Sequence, residues 1–362
     1  MTQRERQILQ LIEKNPMIAQ QEIAQQLGIT RSSVAVHISN LIKKGHIAGK
    51  GYVLKSGTYA VVVGGVNVDI CGRSLAPLVA ADSNPGKVSV SPGGVGRNIA
   101  HNLSQLGIDV RMLTAYGEDA HGRAVAAACS EQGIDLSHAL RLSDATTSTY
   151  VYLTDEKGEM ALAVSDMAIC EKISPEYLAA NLTLLQNAQV VVADANIPAK
   201  SLAFLAENLT VPLFVDPVST AKAEKLLPIL PKIHTLKPNR LEAELLSGIP
   251  IRSPGDAVKA ADKLLAQGIH RVFLSLGADG VLAAMDDNRL HLDNIPGHMV
   301  NTTGCGDAFM AALVWAYLEG TDLEGTAQAG LAAGSIAMES EKTINPNLSA
   351  EALRQRMAAS RR

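Results

Sequence analysis

From residue 58 onward the sequence repeats one unit, a short apolar run and then a helical stretch, and few folds accommodate that repetition. The runs include Val110–Leu113, Val190–Ala193, Leu213–Val215 and Val272–Leu276. Helical stretches such as Ile99–Leu106, Ala199–Leu209 and Ala257–Gln267 separate them. Strand alternating with helix predicts an α/β domain on a mainly parallel sheet. The first run, within YAVVVGGVNVDI (59–70), reads as a buried strand with glycines at its exit. Ligands of such sheets bind beyond the carboxyl ends of the strands, and the polar, glycine-rich pieces fall there.

One region departs from the repeat. TTSTYVYLTDEKGEMALAV (146–164) alternates like an amphipathic hairpin, with Asp155-Glu156-Lys157-Gly158 as its turn. Together with Lys87–Val90 it is expected to form a small sheet off the main one, from segments near 72–91 and 145–166. A lid over a substrate pocket and a dimer-forming flap are both compatible with that pattern.

The first 55 residues carry a different signature. They hold eight Lys/Arg against three acids, +5, whereas the whole chain has a net charge of −4. A basic head on an acidic body points to a separate polyanion-binding module. Ile8, Leu11 and Ile12 mark a first helix around Arg4–Lys14. A second, with Ile23, Ala24 and Leu27 inward, stops at Gly28. A third follows, capped by Thr30 or Ser32, with Val34, Ile38, Leu41 and Ile42 as its inner stripe. GHIAGKGYVLK (45–55) then reads as a small hairpin with Gly49-Lys50-Gly51 at its tip. This segment resembles the winged helix-turn-helix domains of bacterial transcription regulators. The resemblance implies that the third helix enters the major groove. Arg31, Ser32, Ser33, His37 and Asn40 would then face bases or phosphates, with Lys43, Lys44 and Lys50 on phosphates. A helical appendage used for dimerisation is the alternative.

At 362 residues two domains are expected, 1–55 and 58–362, and a composition 47% hydrophobic and 19% charged suits a large buried core. No run approaches the ~18 apolar residues of a membrane span. The start, MTQRERQILQLIEKN, lacks an apolar signal core, so a cytoplasmic protein is expected. Cys71, Cys129, Cys170 and Cys305 are scattered, which suggests neither a zinc cluster nor a disulfide framework.

The chemistry concentrates in NTTGCGDAFMAAL (301–313). Glycines let a backbone approach a ligand and adopt positive φ, and N–H groups at a helix N-terminus attract anions. A carboxylate beside such a cradle repels the anion itself, yet it can take a proton from a nucleophile attacking that anion. Gly304-Cys305-Gly306-Asp307 therefore suggests phosphoryl transfer with Asp307 as general base; an ordinary capped helix start is the alternative. SPGGVGRNIAHNL (91–103) supplies a second glycine turn, GGVNVDI (64–70) places Asn67 and Asp69 after the first strand, and LKPNRLEAELL (236–246) sets Asn239 and Glu242 three apart on one helix face. LSLGADGVL (274–282) is a strand followed by a glycine turn.

In this order, GGVNVDI, GGVGRN, GEDAHG, KPNRLEAE, LGADG and TTGCGDAF resemble the ribokinase-like, or PfkB, carbohydrate and nucleoside kinases, over 58–345. The resemblance implies a three-layer αβα sandwich with a small β-sheet lid, and a kinase using ATP and Mg²⁺. Asp69 would hold two sugar hydroxyls, with Asn67, Gly93, Gly94, Asn98 and Asn196 around the same sugar. Gly304, Cys305 and Gly306 would cradle the transferring phosphoryl for Asp307. Asn239 and Glu242 would organise Mg²⁺ and phosphates, partly through water. Ser275, Gly277 and Gly280 would lie along the nucleotide, and Ala333 and Gly334 would border the adenine. The chain departs from the family at Asn301, where an aspartate helps form a monovalent-cation (potassium) site in several members. It departs again at Val95, where ribose-specific members carry lysine.

SPGGVGRNIAHNLSQLG with NTTGCGDAFMAAL looks closest to the pseudouridine-kinase branch. A nucleoside kinase acting on the 5′-hydroxyl of pseudouridine, uridine or inosine is thus expected, with Tyr150 and Tyr152 as candidates either for stacking the base or for facing a dimer partner. A free-sugar kinase for ribose or fructose and a regulator sensing its ligand through a kinase fold are the alternatives. A homodimer is expected. A helix N-terminus could also lower the Cys305 thiol pKa and make it oxidisable, which leaves its redox activity open.

Overall fold

A computed structural model describes residues 1–47 and 58–360. The chain forms two compact units, Met1–Gly57 and Thr58–Arg362.

In the first unit, helices Gln3–Lys14, Gln20–Leu27 and Arg31–Lys43 pack around Ile8, Ile12, Ile23, Val34, Ile38 and Leu41. Thr2 and Glu5 close a capping box on the first helix. Gly28 ends the second in the left-handed conformation, and the Thr30 hydroxyl caps the third. Ile42, expected inside, is 44% exposed. The Val34, Ile38, Leu41 positions already fill the narrow stripe that three short helices bury. The expected hairpin with Lys50 at its tip lies outside the described residues.

The second unit is built on an eight-stranded sheet. Across it run Asn288–Leu292, Val281–Met285, Arg271–Ser275, Thr235–Leu236, Leu213–Asp216, Val190–Asp194, Tyr59–Val63 and Asp109–Leu113. The last six are mutually parallel, and the first two join antiparallel at one edge. Alternate residues of each strand enter opposite cores: Val61, Val63, Val191 and Val215 on one face, Ala60, Val62, Val192 and Phe214 on the other. Helices cover both faces, as a fully buried parallel sheet requires.

YAVVVGGVNVDI is two strands, not the single one expected. Tyr59–Val63 belongs to the main sheet, and Asn67–Ser74 crosses into a second, four-stranded sheet. The break is at Gly64 and Gly65, where a Cβ on Gly64 would fall 2.5 Å from Asp194 Oδ2. The second sheet has the order Gly86–Gly93, Asn67–Ser74, Thr149–Thr154, Met160–Asp166, so the lid starts at the first glycine turn. Its pairing places Asp69 beside Tyr150 and Cys71 beside Tyr152 on one face. Val88, Val90, Val151, Leu153, Leu162 and Val164 are exposed; Ile70 lies beside Val90 and Val151, which puts that row on the other face.

Candidate active site

Helix Cys305–Leu318 begins where Gly304 takes φ 85°. A Cβ there would sit 2.1 Å from the Thr343 carbonyl oxygen, so the turn admits only glycine. The first-turn N–H groups of Gly306 and Asp307 have no partner inside the helix, an arrangement suited to an anion, whereas the Cys305 N–H donates to the Thr302 carbonyl at 3.3 Å. Asp307 is 9% exposed. Burial and the neighbouring Asp216 carboxylate push its carboxyl up to about 8, against the Asn98 amide and the Lys237 ammonium. Asn98 Nδ2 donates to Asp307 Oδ2 at 2.9 Å. Asn98 comes from helix Val95–Gln105, which opens at Gly94 with φ 100°.

The sugar-side residues assemble next to that contact. Asn67 Nδ2 donates to Asp69 Oδ1 at 2.6 Å. Burial raises the Asp69 carboxyl, while Asn67 and the charge of Arg97 pull it down. A Cβ on Gly93 would lie 2.2 Å from Asp69 Oδ2, and one on Gly94 would lie 3.0 Å from Asn67 Oδ1. Asn196 faces Gly65, and its Oδ1 accepts from Lys222. Asp194 organises this end without having been singled out in the sequence. It is fully buried and accepts the N–H groups of Gly65, Gly96 and Asn196 at 2.7–3.0 Å. Its position at a strand end, in VVADANIP, is the signal that could have found it.

On the other side of the helix mouth lies a cavity of about 610 Å³. Asn239, Ser275, Gly277, Gly280, Cys305, Gly306 and Gly334 line it, together with apolar Ile295, Phe309 and Met338. Ala333, expected beside an adenine, is instead fully buried in the core, turned about 100° around helix Leu323–Ala337 from Gly334, which lines the cavity. Asn239 and Glu242 form a capping box: Asn239 Oδ1 accepts the Glu242 N–H at 2.9 Å and Glu242 Oε2 accepts the Asn239 N–H at 2.8 Å. Lys237 also lines the cavity, with Nζ 3.2 Å from Asp216 Oδ2. Burial opposes its charge, but the Asp216, Glu242 and Asp307 carboxylates overcome that and hold the ammonium above its ordinary range. Sequence reasoning passed over this lysine, although it stands two residues before the Asn239 cap in KPNRLEAE.

Two positions at the helix mouth, Cys305 and Asn301, are defined by their surroundings. Burial and the Asp307 charge push the Cys305 thiol up to about 11, so the helix N-terminus does not make it acidic. Asn301 supplies a neutral amide already in use, with Oδ1 accepting the Thr303 N–H at 2.9 Å and Nδ2 donating to the Glu341 carbonyl at 3.1 Å.

In the first unit Arg31, Ser32 and Lys43 are exposed, and Ser33, His37 and Asn40 are half-buried. Lys44 is exposed and already engaged in an ion pair within the unit. Its ammonium sits 2.7 Å from the buried Glu5 carboxylate, which it holds down to about 2.

A model of the pfkB family carbohydrate kinases matches residues 58–350, and a model of winged helix-turn-helix DNA-binding domains matches residues 1–47. The chain is 40% identical over 355 residues to YeiI, an uncharacterised sugar kinase of Escherichia coli K12, covering 97% of this chain and 98% of that protein. It is 41% identical over 293 residues to a pseudouridine kinase of Escherichia coli K12, covering 80% of this chain and 94% of that one. An Arabidopsis thaliana ribokinase solved with ribose and ATP has the same fold, with a TM-score of 0.75 at 23% identity over 83% of this chain and 99% of that one. The chain belongs to the pfkB family of carbohydrate kinases, phosphotransferases that act on a hydroxyl, and carries a winged helix-turn-helix segment ahead of its kinase domain.

Proposed function

We propose that this chain transfers the γ-phosphoryl of ATP to the 5′-hydroxyl of a nucleoside of the pseudouridine type. The observation that carries the reading is the Asn98–Asp307 contact. It joins the glycine turn packed on Asp69 to the helix whose N-terminus opens on the cavity. A sugar anchored at Asp69 can thus present a hydroxyl to Asp307, while a nucleotide in the cavity presents its terminal phosphate to the N–H cradle. Asp307 takes the proton, the hydroxyl oxygen bonds to phosphorus, and the bond to the β-phosphate breaks. The Lys237 ammonium and the Gly306 and Asp307 N–H groups offset the charge that develops. Among the described residues no cluster of three His, Cys, Asp or Glu could hold a metal alone. That suits Mg²⁺, which keeps several waters and takes phosphate oxygens. Glu242 would hold it through water, and the ion supplies positive charge to the phosphates when bound.

The base is the part of the substrate for which the lid offers a surface. Tyr150 and Tyr152 share the face that carries Asp69, with ring centroids 5.4 Å apart. A panel of nucleosides and free sugars, followed by ADP release, tests the reading. Pseudouridine or another nucleoside is expected to exceed ribose and fructose in kcat/KM, and a wide lead for a free sugar would sink it. Arg31, Ser32 and Lys43 support a second role, DNA binding by the first unit. That role requires affinity to fall steeply with added salt, and binding insensitive to salt rejects it.

A further inference from the structure

Arg97 follows the second glycine turn and is only 6% exposed. A buried guanidinium needs a reason, and no carboxylate pairs with it at ion-pair distance among the described residues. Its Nη1 donates to the Pro92 carbonyl at 3.0 Å and to Asn98 Oδ1 at 3.3 Å. Its Nη2 meets His101 Nδ1 at 3.2 Å. Burial and the Arg97 charge push His101 down to about 4, so its ring is neutral and Nδ1 can accept.

The amide of Asn98 can be oriented two ways, and the two have opposite consequences for Asp307. With Oδ1 toward Arg97, Nδ2 donates to Asp307 Oδ2, and a donor favours the ionised carboxylate. Flipped, Oδ1 would accept a proton from the acid form of Asp307 and hold it there. A guanidinium has only donors, so the flipped amide would set its NH₂ against the donors of Arg97. We propose that Arg97 is a positioning residue for phosphoryl transfer. Braced by Pro92 and His101, it locks the Asn98 amide as a donor to Asp307, which favours the carboxylate form that can take the substrate hydroxyl's proton.

This rests on Asp307 being the base, and the experiment separates the two. Arg97→Met and Arg97→Lys are compared with Asp307→Asn and with the unaltered protein for kcat, for nucleoside and ATP Kd, and for melting temperature. Arg97→Met is expected to lower kcat by ~10–100-fold, less than the ~10²–10⁴-fold a general base contributes in full, with both Kd values within about 3-fold. Arg97→Lys keeps the charge but not the fork, and is expected to fall between the two while melting like the unaltered protein. If Arg97→Met aggregates, Arg97→Lys decides alone: lowered kcat with unchanged Kd values supports the role, and kcat within 2-fold overturns it. A kcat loss matched by equal losses in both Kd values makes Arg97 merely structural and also overturns it. Full turnover in Asp307→Asn would instead overturn the base assignment itself.

Discussion

At the scale of single residues, Asp307 sets function against stability. An unfolded carboxyl titrates near 3.8, whereas the folded one is raised to about 8. The folded state therefore holds the proton more tightly. The protonated carboxyl's contribution is whole below about pH 4 and is lost as pH rises toward 8. Each pH unit across that window removes up to ~1.4 kcal/mol. Asp307→Asn keeps the Asn98 contact and removes the titration. It is expected to lower kcat by ~10²–10⁴-fold and to melt higher than the parent at pH 8, by several degrees, but not at pH 4. Thermal scans at the two pH values check this, and an equal shift at both would reject the buried-carboxylate account.

The helix mouth shows how neighbouring glycines in one element do different work. Gly304 stands at positive φ against the Thr343 carbonyl, so Gly304→Ala meets both backbone strain and a backbone clash. A loss of ~3 kcal/mol or more is expected, of which the left-handed conformation accounts for ~1–2. A Cβ on Gly306 would instead lie 3.3 Å from Lys237 Nζ, the end of a flexible side chain. Gly306→Ala is expected to keep its urea midpoint close to the parent's and to lose at least about 10-fold in kcat, since Lys237 must move from the cradle. A large drop in midpoint for Gly306→Ala, or none for Gly304→Ala, would contradict this division.

For the whole molecule, the lid's outer face is the feature without a partner. Val88 is 73% exposed and Leu162 62%, within one apolar row across four strands. Exposed apolar patches of this kind mark interaction sites, and the homodimer expected from the sequence would place a second copy of this chain on this row. Val90→Asp combined with Leu162→Asp is expected to turn a dimer into a monomer in light scattering. A parent protein that is already monomeric at micromolar concentration would dismiss the idea.

Much of this was legible in the residues themselves. Periodicity and glycine placement belong to local sequence, so the strand–helix repeat, the three helices of the head, the Gly28 stop and the glycine-opened helix at Gly304 could all be read before any coordinates. Asn98, Asp307, Asn239 and Glu242 were singled out because a turn residue or cap declares itself within a few positions. Other features depend on groups far apart in the chain. Asp194 reaches Gly65 and Gly96 across 129 and 98 residues, which breaks YAVVVGGVNVDI into two strands of two sheets. Lys44 is paired with Glu5 at a separation of 39, Ala333 packs into the core one position before the cavity-lining Gly334, and burial beside Asp307 raises the Cys305 thiol. Which segments fold and which carry chemistry can be read along the chain, because backbone preference and side-chain type are local. Burial, charge pairing and the Arg97–Asn98–Asp307 alignment arise from packing, because the dielectric and the partners that set them come from other elements.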